Sequence, residues 1–179
     1  VNGLKDILQY KNEDDRVILL GKSEPIERKD YPDSLHEMLT DLEYHVKGDP
    51  KTGRRCWALS AVQIGHPYRL MCMQYGEDRI YIANPIILRT YNEATLNSEG
   101  CSSILYGASN YWVRRFGIIK VKALRIEFEG DKPKFTPVIM KEHGIYSAIL
   151  QHEIDHMDGI TLFERSNMGP IAKMEGKTK

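Results

Sequence analysis

His152 and His156 stand four residues apart with Glu153 beside the first, in the order His-Glu-Ile-Asp-His. On a helix this spacing puts both imidazoles on one face, where they can converge on a single metal ion. Glu153 would then reach a water on the metal rather than the metal itself. A divalent cation lowers the pKa of such a water toward neutrality, and an adjacent carboxylate can take and return the protons of a hydrolysis. The plainer alternative is a pair of solvent-facing histidines. The glutamate between them, and the apolar residues on the other side of the same segment, argue against it.

A catalytic site of this kind needs a third protein ligand. The longer pattern that continues to a third histidine matches through Gly159 and then fails, because Leu162 stands where that histidine would be. Glu164 is too close and Glu175 lies in the tail. An upstream cysteine is the better candidate. Cys101 lies in Ser98-Glu-Gly-Cys-Ser102, where Gly100 permits close backbone approach and a thiolate would suit a soft divalent metal. Cys72, in Leu-Met-Cys-Met, reads as a buried small hydrophobe. Cys56 stays open on composition.

The elements that must position these groups can be read from the pattern. Leu35, Met38, Leu39, Leu42 and Val46 recur at helical spacing, after a helix start at Asp30–Asp33 and before Gly48. Lys11 to Arg16 is polar and reads as a surface loop. Short β-branched or aromatic segments follow at 69–75, 79–83, 86–91, 118–128 and 134–140. Glu142 to Asp158 reads as the helix that carries the histidine pair, stopped by Gly159. Residues from about Asn167 read as a frayed tail. The fold class is α+β, one domain over 1–179.

Composition narrows the function classes. Of 179 residues, 41% are hydrophobic and 28% charged, which suits a packed core. Lys+Arg and Asp+Glu are both 25, so there is no electrostatic footprint for direct nucleic-acid binding or for an anionic membrane. No apolar run is long enough for a membrane span, which points to a soluble protein. Three cysteines cannot all pair and read as a reducing compartment. The chain opens on Val1 and shows no secretory signal, so it reads as trimmed or processed, with any organellar leader already gone.

Three segments together resemble the peptide deformylases: Cys56-Trp-Ala-Leu-Ser-Ala-Val-Gln63, Glu99-Gly-Cys-Ser-Ser103 and Gln151-His-Glu-Ile-Asp-His156. Gln63-Ile-Gly-His-Pro67, Asn84-Pro85 and Val113-Arg-Arg115 are similar as well, and the resemblance runs from about Lys5 to Arg165. It implies antiparallel sheets packed around a central helix that carries metal ligands. Cys101, His152 and His156 would bind one divalent metal, Fe2+ in the family, with Zn2+, Ni2+ or Co2+ as substitutes. Glu153 would be the general acid/base, and Gln63 and the Ser102 N–H would stabilise the oxyanion. The reaction would remove the N-formyl group from the initiator methionine of nascent polypeptides and release formate, with the ribosome as a further partner. Ala58 and Gly100 would border the substrate, and Ile145, Ala148 and Ile149 would hold the methionine side chain, with ordinary core packing as their alternative. Asp155 and Gln151 could orient a ligand imidazole or the cysteine loop.

The sequence departs from the family pattern at four places. Cys56 and Ala58 replace glycines, Val62 replaces a proline and Ser102 replaces a leucine. Cys56 and Ser60 resemble the mitochondrial deformylases of animals, which implies a mitochondrion or other organelle. A bacterial or phage-infected cytoplasm is the alternative. Ala58 and Ser102 also support a second reading, a catalytically weak homologue that binds nascent chains or ribosomes. A third is a metallohydrolase for another N-acyl substrate. The presence of Glu153 and Gln63 favours the enzyme.

Overall fold

The structure is a computed structural model and describes residues 4–29, 31–48, 53, 55–104 and 111–170. Among them, α1 spans Glu13–Leu19 and α2 Leu35–Lys47. Strands β1 (Ala58–Ser60), β2 (Leu70–Tyr75), β3 (Asp78–Glu99), β4 (Tyr111–Glu129) and β5 (Lys132–His143) follow. A 3-10 turn over Ala61–Ile64 separates β1 from β2. Helices α3 (Gly144–Met157) and α4 (Leu162–Met168) close the described chain. The strands form one antiparallel sheet in sequence order, β1 to β5, rather than separate sheets.

The period-two alternation of β2 explains the layering. Leu70 and Cys72 enter one core with Leu35, Met38, Leu39 and Leu42 of α2. Met71 and Met73 enter another with Ile119 and Val121 of β4 and Leu150, Ile154 and Met157 of α3. The sheet is therefore clamped between a helix on each face, and α3 is pressed onto it by its own apolar stripe.

Four expectations need correction. Residues from Glu13 do not form a loop but α1: the Asn12 side chain accepts hydrogen bonds from Asp14 N and Asp15 N, and the acidic first turn complements the helix dipole. The segments 79–83 and 86–91 are not two strands but parts of β3, which passes Pro85 through register irregularities at 83/86, 87/89 and 91/94. Pro85 is tolerated where the ladder is already interrupted. Glu142 and His143, assigned by pattern to the late helix, end β5. Asn167 and Met168 complete α4 rather than begin the expected tail, whose residues 171–179 lie outside the described residues.

The length of β3 matters most for function. It starts at the β2 hairpin and delivers Glu99, Gly100 and Cys101 to the face of α3. Just past the end of helix α3 stands Gly159, whose φ is +74° and where an added Cβ would lie 2.4 Å from the Leu20 carbonyl oxygen. The chain there needs both a left-handed conformation and no side chain.

Candidate metal centre

Cys101, His152 and His156 come together: their ligand atoms lie within 4.8 Å of one another. Cys101 Sγ is 3.3 Å from His156 Nε2, which is 3.1 Å from His152 Nε2. Glu99 Oε2 lies 3.0 Å from His152 Nδ1 and accepts a hydrogen bond from its N–H, which turns Nε2 toward the other two donors. A thiol and two imidazole nitrogens facing one another at this range, two of them on buried residues, form a donor set that a soft divalent cation fits.

A buried ionic chain holds this arrangement. Arg115 is 1% exposed and donates from Nε and Nη2 to the two Glu99 oxygens, each at 3.0 Å. Its Nη1 donates to Asp155 Oδ2 at 2.5 Å, and Arg165 of α4 grips both Asp155 oxygens. Thus β3, β4, α3 and α4 are tied through one network that ends on a metal-ligand imidazole. Burial disfavours the Glu99 carboxylate, but His152 and Arg115 outweigh it and hold its pKa down at about 2. Burial also works against a charged His152, yet its hydrogen bonds to Cys101 and Glu99 carry its pKa well above the ordinary value. His156 goes the other way, kept neutral by burial and by the neighbouring His152 charge.

Glu153 is 4% exposed and accepts a 2.6 Å hydrogen bond from Ser60 Oγ. Burial raises its pKa, with His152 and Ser60 opposing. A carboxyl lifted toward neutrality can both accept and return a proton. Gln63 lies in the 3-10 turn, where its Oε1 accepts from Ser60 N at 3.0 Å in a reciprocal capping box. That bond settles the amide orientation. Nε2 is left to donate toward Ser103 Oγ at 3.1 Å and Cys101 Sγ at 3.7 Å.

These groups border a cleft of about 400 Å³. Ala58, Gly100 and Ser102 line its walls, and Ile145, Ala148 and Ile149 give it an apolar side. Ile145 is 56% exposed, so it faces the cleft rather than the core. Cys56 also lines the cleft, with Sγ 3.3 Å from Ser102 Oγ, and is not among the clustered metal donors. Cys72 is buried in the α2-side core.

A model of the family described as polypeptide deformylase matches residues 4–170. The chain belongs to the polypeptide deformylase family. It is 36% identical over 138 residues to a peptide deformylase of Natranaerobius thermophilus, covering 75% of this chain and 78% of that one. It is 29% identical to the peptide deformylase of Helicobacter hepaticus, covering 97% and 89%. The solved peptide deformylase of Legionella pneumophila superposes with a TM-score of 0.68 at 27% identity, over 91% of this chain and 86% of that one. Family and site together make the chain a peptide deformylase, a metal-dependent hydrolase built on a Cys-His-His centre.

Other features were not visible from motif spacing. Ser60 contacts Glu153, and Gln9 Nε2 donates to the Ser102 carbonyl at 3.0 Å. Asp155 touches no imidazole directly and acts on His152 through Arg115 and Glu99. Gln151 ties α3 to β4 instead, accepting from Phe116 N at 3.0 Å and donating to Phe116 O at 2.8 Å.

Proposed function

We propose that this deformylase removes the N-formyl group from the initiator methionine of nascent polypeptides, with Fe2+ as its native metal. The observation that carries the reading is Glu153, a buried carboxyl held by Ser60 beside a Cys-His-His donor set in an apolar-sided cleft. Cys101, His152 and His156 would hold the cation, which supplies Lewis-acid chemistry that acidifies water and polarises a carbonyl. Glu153 takes the proton of the attacking water and passes it to the leaving amine nitrogen. The Gln63 amide, fixed by Ser60 N, donates to the developing oxyanion in place of its long contact with Cys101, and the Ser102 N–H joins it. Ile145, Ala148 and Ile149 receive the methionine side chain, while Ala58 and Gly100 border the peptide.

The Fe2+ assignment is supported by the family resemblance and by a mixed thiolate–imidazole donor set. Metal analysis of protein purified without oxygen tests it: iron as the bound metal is expected, and a stoichiometric different metal would replace the assignment. Cys56 and Ser60 support an organellar setting, whereas the bacterial relatives support a cytoplasmic one. Localising the full-length gene product in its source cell decides between them.

A further inference from the structure

The cleft shares one rim with a second recess. Arg55, Cys56 and Trp57 line both, and beyond them lies a cavity of about 390 Å³ bounded by Lys47, Gln74 and Arg79. The rim is anchored from two sides: Cys56 N donates to His45 O on the α2 side, and Gln74 N of β2 donates to Trp57 O. The Arg55 guanidinium lies 5.9 Å over the Trp57 ring, which fixes its position on the rim.

The charges in this recess are one-sided. Lys47, Arg55 and Arg79 line it, and among the described residues no carboxylate does. Glu43, from outside the lining, engages Arg79 at 3.0 Å and also accepts from Tyr81, so it neutralises one cation. Lys47 lies close enough to Glu43 to favour its ionised form, but Arg55 has no described anionic partner. A net positive recess beside an apolar-sided cleft is built to meet a carboxylate on the same molecule that fills the cleft.

We propose that this recess is a carboxylate-binding subsite, with Arg55 and Lys47 as the groups that select substrates carrying negative charge downstream of the methionine. The proposal rests on the deformylase reading, which places the formyl end at the metal centre and leaves the rest of the peptide to exit past Arg55. The charge can be an acidic side chain or the terminal carboxylate of a short peptide. Because the cations are exposed, the effect acts on KM, is about 3- to 10-fold in kcat/KM, and is screened by salt.

The test uses the metal-loaded full chain and formate release from four peptides. These are formyl-Met-Ala-Gln-amide, formyl-Met-Glu-Ala-amide, formyl-Met-Ala-Glu-amide, and formyl-Met-Ala-Gln with a free carboxylate. At least one charged peptide is expected to exceed the neutral amide by that factor at low salt, and the identity of the favoured one names the source of the carboxylate. The ratio should fall toward one at about 0.5 M salt, and in the Arg55→Gln/Lys47→Gln double variant. Equal or lower kcat/KM for every charged peptide overturns the subsite, as does a preference unchanged by salt or one that survives in the folded double variant. If the double variant does not fold, the salt series on the unaltered protein decides. No release even from the neutral amide strikes instead at the deformylase reading beneath it.

Discussion

The proposed mechanism divides the chemistry between Glu153 as proton carrier and Gln63 as fixed donor, and each makes a separate prediction. Glu153→Gln keeps the shape and the Ser60 contact but cannot accept a proton, so kcat should fall by about 10²–10⁴-fold with the metal retained. Steady-state kinetics beside metal analysis check this; a variant that loses its metal would instead show a ligand-like role. Gln63→Ala removes a donor that the capping box aims into the cleft. A loss of about 10²–10³-fold in kcat is expected, with little change in KM. The nearby Ser60 hydroxyl, only 2.6 Å from Glu153, was not assignable from sequence because nothing in the spacing relates residues so far apart. The same holds for Arg115 and Asp155: their charges are visible, but their pairing exists only once β4 lies against α3.

At the scale of elements, the ionic chain explains how strand ends and helices hold a site together. Arg115→Met would leave the buried Glu99 and Asp155 facing each other with one cation fewer. Losing a partner from such a buried pair costs about 3–5 kcal/mol. Denaturant unfolding should show that loss, and metal titration should show weaker binding because His152 loses its orientation. Glu43 offers a test of pH. Burial opposes its ionisation, but the Tyr81 and Arg79 hydrogen bonds prevail and hold its pKa below the ordinary value. The unfolded chain therefore takes up the proton first as pH falls, and the α2–β3 link loses its stabilisation through the carboxylate range. Glu43→Gln should unfold with a shallower acid dependence between about pH 5 and about pH 3 than the unaltered protein. The helices α2 and α3 were legible because each carries a regular apolar stripe. Helix α1 was not, because its first turn is wholly acidic and only the Asn12 cap betrays it. The continuity of β3 was hidden by Pro85, since a sequence pattern cannot tell a strand break from a bulge.

For the molecule as a whole, two cores on opposite faces of one sheet fix α3 against it, and the far end of β3 then meets α3 at the metal centre. The metal ligands were readable in sequence because their types and spacing are dictated by coordination chemistry. The recess beyond Arg55 was not, because its walls come from α2, β2 and β3. Any cation held by Cys101, His152 and His156 binds the folded state alone, so saturating metal at about 100 times its Kd should add about 2.7 kcal/mol of stability. Thermal unfolding with and without a chelator checks this. The most direct test of function is formate release from a short formyl-Met peptide by anaerobically prepared, Fe2+-loaded protein, run beside metal-free protein and Glu153→Gln. The expected result is release by the loaded protein that vanishes in both controls. Folded, fully metallated protein that releases no formate, or release that persists without Glu153, would contradict the mechanism.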